Sequence, residues 1–158
     1  MLLYISIIVF NLIAIKINKI PTMNRIVHIW LFTIAFQFLF DIIVEFKYNA
    51  YWYFEKGIDF KGLPAHFILI PPVNIILLSF FPFKSTFFKK AMYIIYWTLG
   101  IVIYEAVTSI PAPWGFFHYG WWNWWYDIII VPILILFVLG YYKWVSKLEA
   151  KISESNRN

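Results

Sequence analysis

Mostly apolar stretches of about 20 residues, the length a helix needs to cross the hydrocarbon core of a bilayer, recur along this chain. Five runs of roughly that kind cover residues 2–17, 26–45, 63–81, 91–110 and 124–142. Pro71-Pro72 interrupts the third and Pro132 lies within the fifth. Little chain is left between them, so no second domain and no internal repeat is expected. Of the 158 residues, 63% are hydrophobic, 23% aromatic and only 13% charged. A soluble domain of this size cannot hide so much apolar surface. The composition therefore excludes an ordinary soluble domain, a disordered chain and a nucleic-acid module, despite a net charge of +5. With no Cys, disulfides, thiolate metal sites and Cys nucleophiles are excluded as well.

The expected fold is all-α: a polytopic integral membrane bundle of five transmembrane helices in the cell membrane. Residues 1–144 form the transmembrane domain, and residues 145–158, with Ser153, Ser155 and Asn156, form a polar cytoplasmic tail that frays into water. No basic residue precedes the first run and no small-x-small cleavage site follows it, so it reads as a retained first helix. Alternation of five helices puts Lys16, Lys19, Arg25, Lys84, Lys89, Lys90, Lys143, Lys147, Lys151 and Arg157 on one face, ten of the thirteen basic residues. That face is cytoplasmic by the positive-inside bias, which leaves the N-terminus outside and the C-terminus inside.

Six of the eight acids gather at the opposite end: Asp41, Glu45, Glu55, Asp59, Glu105 and Asp127. His66 and His118 join them there, whereas His28 belongs to the cytoplasmic end. On the second helix Thr33, Gln37, Asp41 and Glu45 recur every four residues and so share one stripe. On the fourth, Thr98 and Glu105 are seven apart, with Thr108 and Ser109 beside them. Charges facing hydrocarbon are costly, so both stripes should face other helices or water. Two readings compete. The polar groups hydrogen-bond across the bundle, or reach the headgroup layer, and only fix packing. Alternatively, Asp41, His66, Glu105 and Asp127, from four helices at one depth, enclose a shared pocket with Glu45, Asn74, His118 and Trp121 around it. Asn74 is the candidate to re-satisfy carbonyls freed by Pro71-Pro72.

Aromatic rings crowd the same end: Trp52, Trp114, Trp121, Trp122, Trp124 and Trp125, with Tyr51, Tyr53, Phe116, Phe117, Tyr119 and Tyr126. Most suit an interfacial belt. The run from Trp121 to Asp127 is denser than anchoring needs, and rings above buried carboxylates suit an amphipathic or cationic ligand. The sequence has no phosphate-cradling glycine loop, no His-Glu-x-x-His, no Gly-x-Ser-x-Gly, no Gly-x-x-x-Gly and no Asp-rich pair for prenyl diphosphates. A metal site from His66, His118 and two carboxylates has chemistry in its favour but no motif spacing, so the sequence by itself assigns no metal and no cofactor.

Three stretches carry a family resemblance. They are Tyr53-Phe54-Glu55-Lys56-Gly57; then Pro71-Pro72-Val73-Asn74 with Phe81-Pro82-Phe83; and Glu105 with Tyr119-Gly120-Trp121-Trp122 and Pro132. Together they resemble a family of small multi-pass membrane proteins of spore-forming Gram-positive bacteria, over most of the chain. The family carries no established activity, so the likeness implies a fold and a location and transfers no chemistry. Length, helix number and Trp content are also similar to those of the tryptophan-rich sensory proteins that bind porphyrins. Their Lys-Pro-x-Trp-x-Pro-Pro signature is absent here, so that likeness is one of shape.

Three functions follow from these readings: binding or transport of an amphipathic small molecule or lipid at an outer-leaflet pocket, an accessory subunit bound to a membrane-protein partner, or a membrane-embedded enzyme using Asp41, Glu105 or His66 as acid and base. The lipid bilayer is a partner in each, and nucleic acid in none. The native chain lacks Cys, so single-Cys labelling tests the topology directly. Cysteines at Glu55 and Gly115 are expected to react with an impermeant reagent from outside, and one at Lys151 is not. Labelling at 55 and 151 from the same side would rule out five crossings.

Overall fold

The computed structural model describes residues 1–57, 59–111 and 113–155. Apolar sequence makes helices here because no water is needed to satisfy a helical backbone. Helix α1 (Leu2–Ile17) stops at Asn18, whose Oδ1 accepts from the Ile20 N–H at 2.9 Å just before Pro21. The Thr22 hydroxyl then caps α2 (Met23–Asp41) by accepting from the Arg25 N–H at 3.3 Å. This cap starts α2 at residue 23 rather than at the expected 26. α2 continues without a break into a π-helical turn, Ile42–Lys47. A second π turn, Ala65–Leu69, leads into α3 (Ile70–Phe80). Helices α4 (Phe87–Thr108) and α5 (Trp124–Ser155) complete the set.

Three helical spans are long and apolar enough to cross a membrane: Met23–Lys47, Phe87–Thr108 and Trp124–Ser155. Leu2–Ile17 and Ala65–Phe80 are shorter. In space α1 packs on α3, α3 on α2, α2 on α5 and α5 on α4. The ring closes where Phe10 of α1 meets Tyr104 of α4 edge-on at 5.7 Å. One buried cluster, including Ile29, Leu77, Ile135 and Leu139, fills the interior towards the α1–α2 turn. A second, built from Leu3, Tyr51, Ala65, Phe116, Phe117 and Trp122, fills the other end. The outward faces carry exposed Ile8, Leu12, Leu31, Leu39, Ile103, Ile129 and Leu136. The helix bundle thus carries large apolar side chains on its outward faces as well as in its interior.

Four features depart from the expected architecture. First, the fold is not wholly helical. β1 (Tyr51–Tyr53) pairs antiparallel with β2 (Phe117–Tyr119), in register Tyr51 to Tyr119 and Tyr53 to Phe117. Both segments are aromatic-rich and suit a strand. The ribbon joins the α2–α3 connection to the α4–α5 connection. Gly120 ends it, because a Cβ there would sit 2.4 Å from the Asn49 carbonyl oxygen. Second, Pro71-Pro72 does not break the third helix. The prolines follow the π turn Ala65–Leu69, which occupies the place where their missing N–H groups bar a regular α-helical turn. Third, Asn74 does not repair the carbonyl that Pro72 leaves without its donor four residues back. Asn11 of α1 does, donating Nδ2 to the Ile68 carbonyl at 2.9 Å. Fourth, residues 145–155 continue α5 instead of fraying. Glu149 accepts from Arg25 Nε at 2.5 Å, Asn24 Nδ2 at 2.7 Å and Thr22 Oγ1 at 2.9 Å, and Val145 is buried. These contacts bind the distal half of α5 to the α1–α2 turn. Residues 156–158 of the expected tail lie outside the described residues.

Asn11→Leu is expected to lower stability by about 1–3 kcal/mol, because it leaves the Ile68 carbonyl unpaired in an apolar setting. Leu12→Ile, on the exposed face, should change little. The thermal midpoints of the two variants in detergent check this.

Candidate functional site

Asp41 ends α2 at its junction with the π turn that carries Glu45, and His66 lies in the π turn that opens the third helix. A π turn adds a residue to the helical repeat and re-aims the side chains that follow, and such turns recur at functional sites. Here the two π turns bring three ionisable groups together in the bundle interior. Asp41 is 0% exposed, His66 2% and Glu45 3%. His66 Nδ1 lies 2.8 Å from Asp41 Oδ2, and His66 Nε2 lies 3.9 Å from Glu45 Oε2. Asp41 takes two hydrogen bonds. Tyr51 Oη donates to Oδ1 at 2.5 Å, and Gln37 Nε2, one turn back on the stripe, donates to Oδ2 at 2.9 Å. The Tyr53 ring stands edge-on to the His66 ring at 4.9 Å. Burial, and then the negative charge of Asp41, push the Tyr51 and Tyr53 hydroxyls well above their ordinary range. Both therefore stay protonated and available as donors.

A second pair of acids comes from the other side of the ring. Glu105 of α4 and Asp127 of α5 are neighbours. Trp122, just before α5, donates Nε1 to Asp127 Oδ1 at 2.6 Å. Tyr119 of β2 reaches Glu105 Oε2 at 3.5 Å.

Between the two groups lies a cavity of about 210 Å³. Thr33, Gln37 and Asn74 face it from α2 and α3, and Glu105, Asp127 and Trp122 from α4 and α5. Apolar side chains such as Phe36, Phe40 and Ile101 make up most of the remaining wall. The polar stripes of α2 and α4 thus face each other across a cavity rather than in contact. Tyr51 and Tyr53 also line it, and they stand between it and the Asp41–Glu45–His66 group.

The expected site residues therefore fall into three sets. Asp41, Glu45 and His66 are together. Asn74, Glu105 and Asp127 line the cavity, with Asn74 donating to Thr33 Oγ1 at 3.0 Å. His118 and Trp121 lie apart from both groups. His118 sits on β2 opposite Trp52 and stacks on its ring at 6.0 Å. Trp121 is 56% exposed and donates Nε1 to the Tyr48 carbonyl. The turn at Gly120 directs Trp121 outward and Trp122 inward, so Trp122 holds the position expected of its neighbour. Sequence reasoning grouped Tyr51, Tyr119 and Trp122 with the aromatic belt. Their partners are carboxylates five to fourteen residues away along the chain, and the only signal in the sequence was the density of rings beside acids.

No family model matches the chain, and no curated protein or solved structure is similar to it.

Asp41→Leu removes the acceptor for Tyr51 and Gln37 and the neighbour of His66 Nδ1. A loss of about 3–5 kcal/mol is expected, because each buried donor left without its acceptor costs about 1–3 kcal/mol. Lys56→Leu loses only a surface contact over the Trp52 ring, worth about 0.5–1 kcal/mol. Equal thermal midpoints for the two variants would show that Asp41 has no structural partners.

Proposed function

We propose that this chain is a multi-pass protein of the cell membrane, with five crossings, N-terminus outside and C-terminus inside, that binds an amphipathic molecule bearing a cationic group in the cavity of its outer half. The N-terminal amine meets the Pro113 carbonyl at 3.3 Å, at the ribbon end of the bundle, and Glu149 holds the α1–α2 turn at the other end. That arrangement supports five alternating helices, with the Lys- and Arg-rich end inside. Leu2–Ile17 and Ala65–Phe80 have 16 residues each. Each spans about 24 Å, short of the ~30 Å hydrocarbon core, a mismatch that local bilayer thinning absorbs.

The observation that carries the ligand reading is the meeting of Glu105 and Asp127 at one wall of a mostly apolar cavity. Two neighbouring carboxylates in a low-dielectric setting repel each other, and a cation between them relieves that repulsion. Apolar walls match the rest of an amphipathic ligand. The volume exceeds the ~150 Å³ apolar cavity known to take benzene, so a compact ligand of that class fits.

The test compares benzyltrimethylammonium with its uncharged isostere neopentylbenzene on the purified protein, read by equilibrium dialysis and Trp fluorescence. The cation is expected to bind more tightly. Glu105→Gln and Asp127→Asn should each weaken it at least about tenfold, or 1.4 kcal/mol, and leave the hydrocarbon unaffected. Equal binding of the two probes, or cation binding unchanged in both variants, would sink the reading.

A further inference from the structure

We infer that Asp41, Glu45 and His66 form a site for one divalent first-row transition-metal ion, separate from the cavity of Glu105 and Asp127. One ligand atom from each of the three side chains lies within 4.8 Å of the other two. Around a small divalent ion, bonds of about 2.0–2.2 Å hold ligand atoms roughly 3–3.5 Å apart, so closure asks for side-chain movements of an ångström or so.

One buried atom points to a missing partner rather than to a finished hydrogen-bond network. Among the described residues Glu45 Oε2 has no hydrogen-bond partner, although Glu45 is 3% exposed and the oxygen faces His66 Nε2 at 3.9 Å. Buried polar atoms without partners are uncommon and costly. An ion held among the three side chains supplies that partner.

The charges of the filled site balance: one divalent ion bound by two carboxylates and an imidazole makes a neutral cluster, which suits an apolar bundle. The donor set, one imidazole nitrogen and two carboxylate oxygens, suits Zn²⁺ or Mn²⁺. The imidazole disfavours Ca²⁺ and Mg²⁺, which prefer oxygen alone. Asp41 is already oriented as a metal ligand should be, by outer hydrogen bonds from Tyr51 and Gln37. Three protein ligands leave at least one coordination position for water or an exogenous group.

The test uses the full chain without a His tag, purified in detergent and stripped with a chelator. Equilibrium dialysis against Zn²⁺ and Mn²⁺, with Ca²⁺ and Mg²⁺ as controls, should give saturable uptake of a single transition-metal ion per chain, accompanied by a rise in thermal midpoint. Glu45→Gln and His66→Gln should weaken uptake at least about tenfold, the lower end of the loss seen for outer-sphere partners alone. Glu105→Gln and Asp127→Asn should leave it unchanged, which separates this site from the ligand cavity. Absence of saturable uptake by the wild-type chain, or full uptake by His66→Gln, overturns the proposal. If the ligand variants do not fold, Co²⁺ bound to the wild-type chain decides by NMR. Paramagnetic shifts confined to the His66 ring support the site, and shifts of His28 or His118 instead, or of no histidine, refute it.

Discussion

The hydrogen bond from Tyr51 to Asp41 ties the β1–β2 ribbon to the helix bundle, and much of the interior is arranged around it. Asp41 is fully buried, so its carboxylate tolerates an apolar setting only with donors in place. Tyr51 supplies one, and to reach it β1 must lie over the end of α2. β1 in turn positions β2 by register, which places Tyr119 near Glu105 and brings Trp122 to Asp127. Burial of one acid thus sets where the two long connections run. Tyr51 and Tyr53 also become the partition between two polar groups that would otherwise share one space.

The helices accommodate this by local departures from regularity, each with an identifiable partner. The π turns at Ile42–Lys47 and Ala65–Leu69 aim Glu45 and His66 inward beside Asp41. The carbonyl left free by Pro72 is taken by Asn11 from a neighbouring helix, so the helix continues through the prolines. At the opposite end, Glu149 gathers Thr22, Asn24 and Arg25 and holds α5 helical to Ser155. At the prolines and at the end of α5, a side chain from another element thus supplies the missing partner.

The two acidic groups differ in what surrounds them. Asp41, Glu45 and His66 are enclosed by side chains and include an imidazole, a donor set suited to a small ion. Glu105 and Asp127 open on a cavity whose walls are mostly apolar, a setting suited to a larger ligand with a charged end. The same residue types thus take on different chemistry according to whether their neighbours close over them or leave space.

Much of this was legible in the residues. Apolar runs, because their period and length answer to bilayer thickness and backbone hydrogen bonding alone, marked five helices. The four-residue stripe from Thr33 to Glu45 marked the inward face of α2, since side chains four apart share a helix face in any packing. Alternation then brought the acids and His66 to one end. The sequence could not show that Asp41 and Glu105 would be divided between two groups, that Trp122 rather than Trp121 turns inward, or that Asn11 rather than Asn74 answers the prolines. Each of those depends on which helices are neighbours and on a shift of a single residue at a π turn or a glycine. Such choices are settled by contacts between residues far apart in the chain, where local pattern carries no information, and the tertiary structure alone decided them.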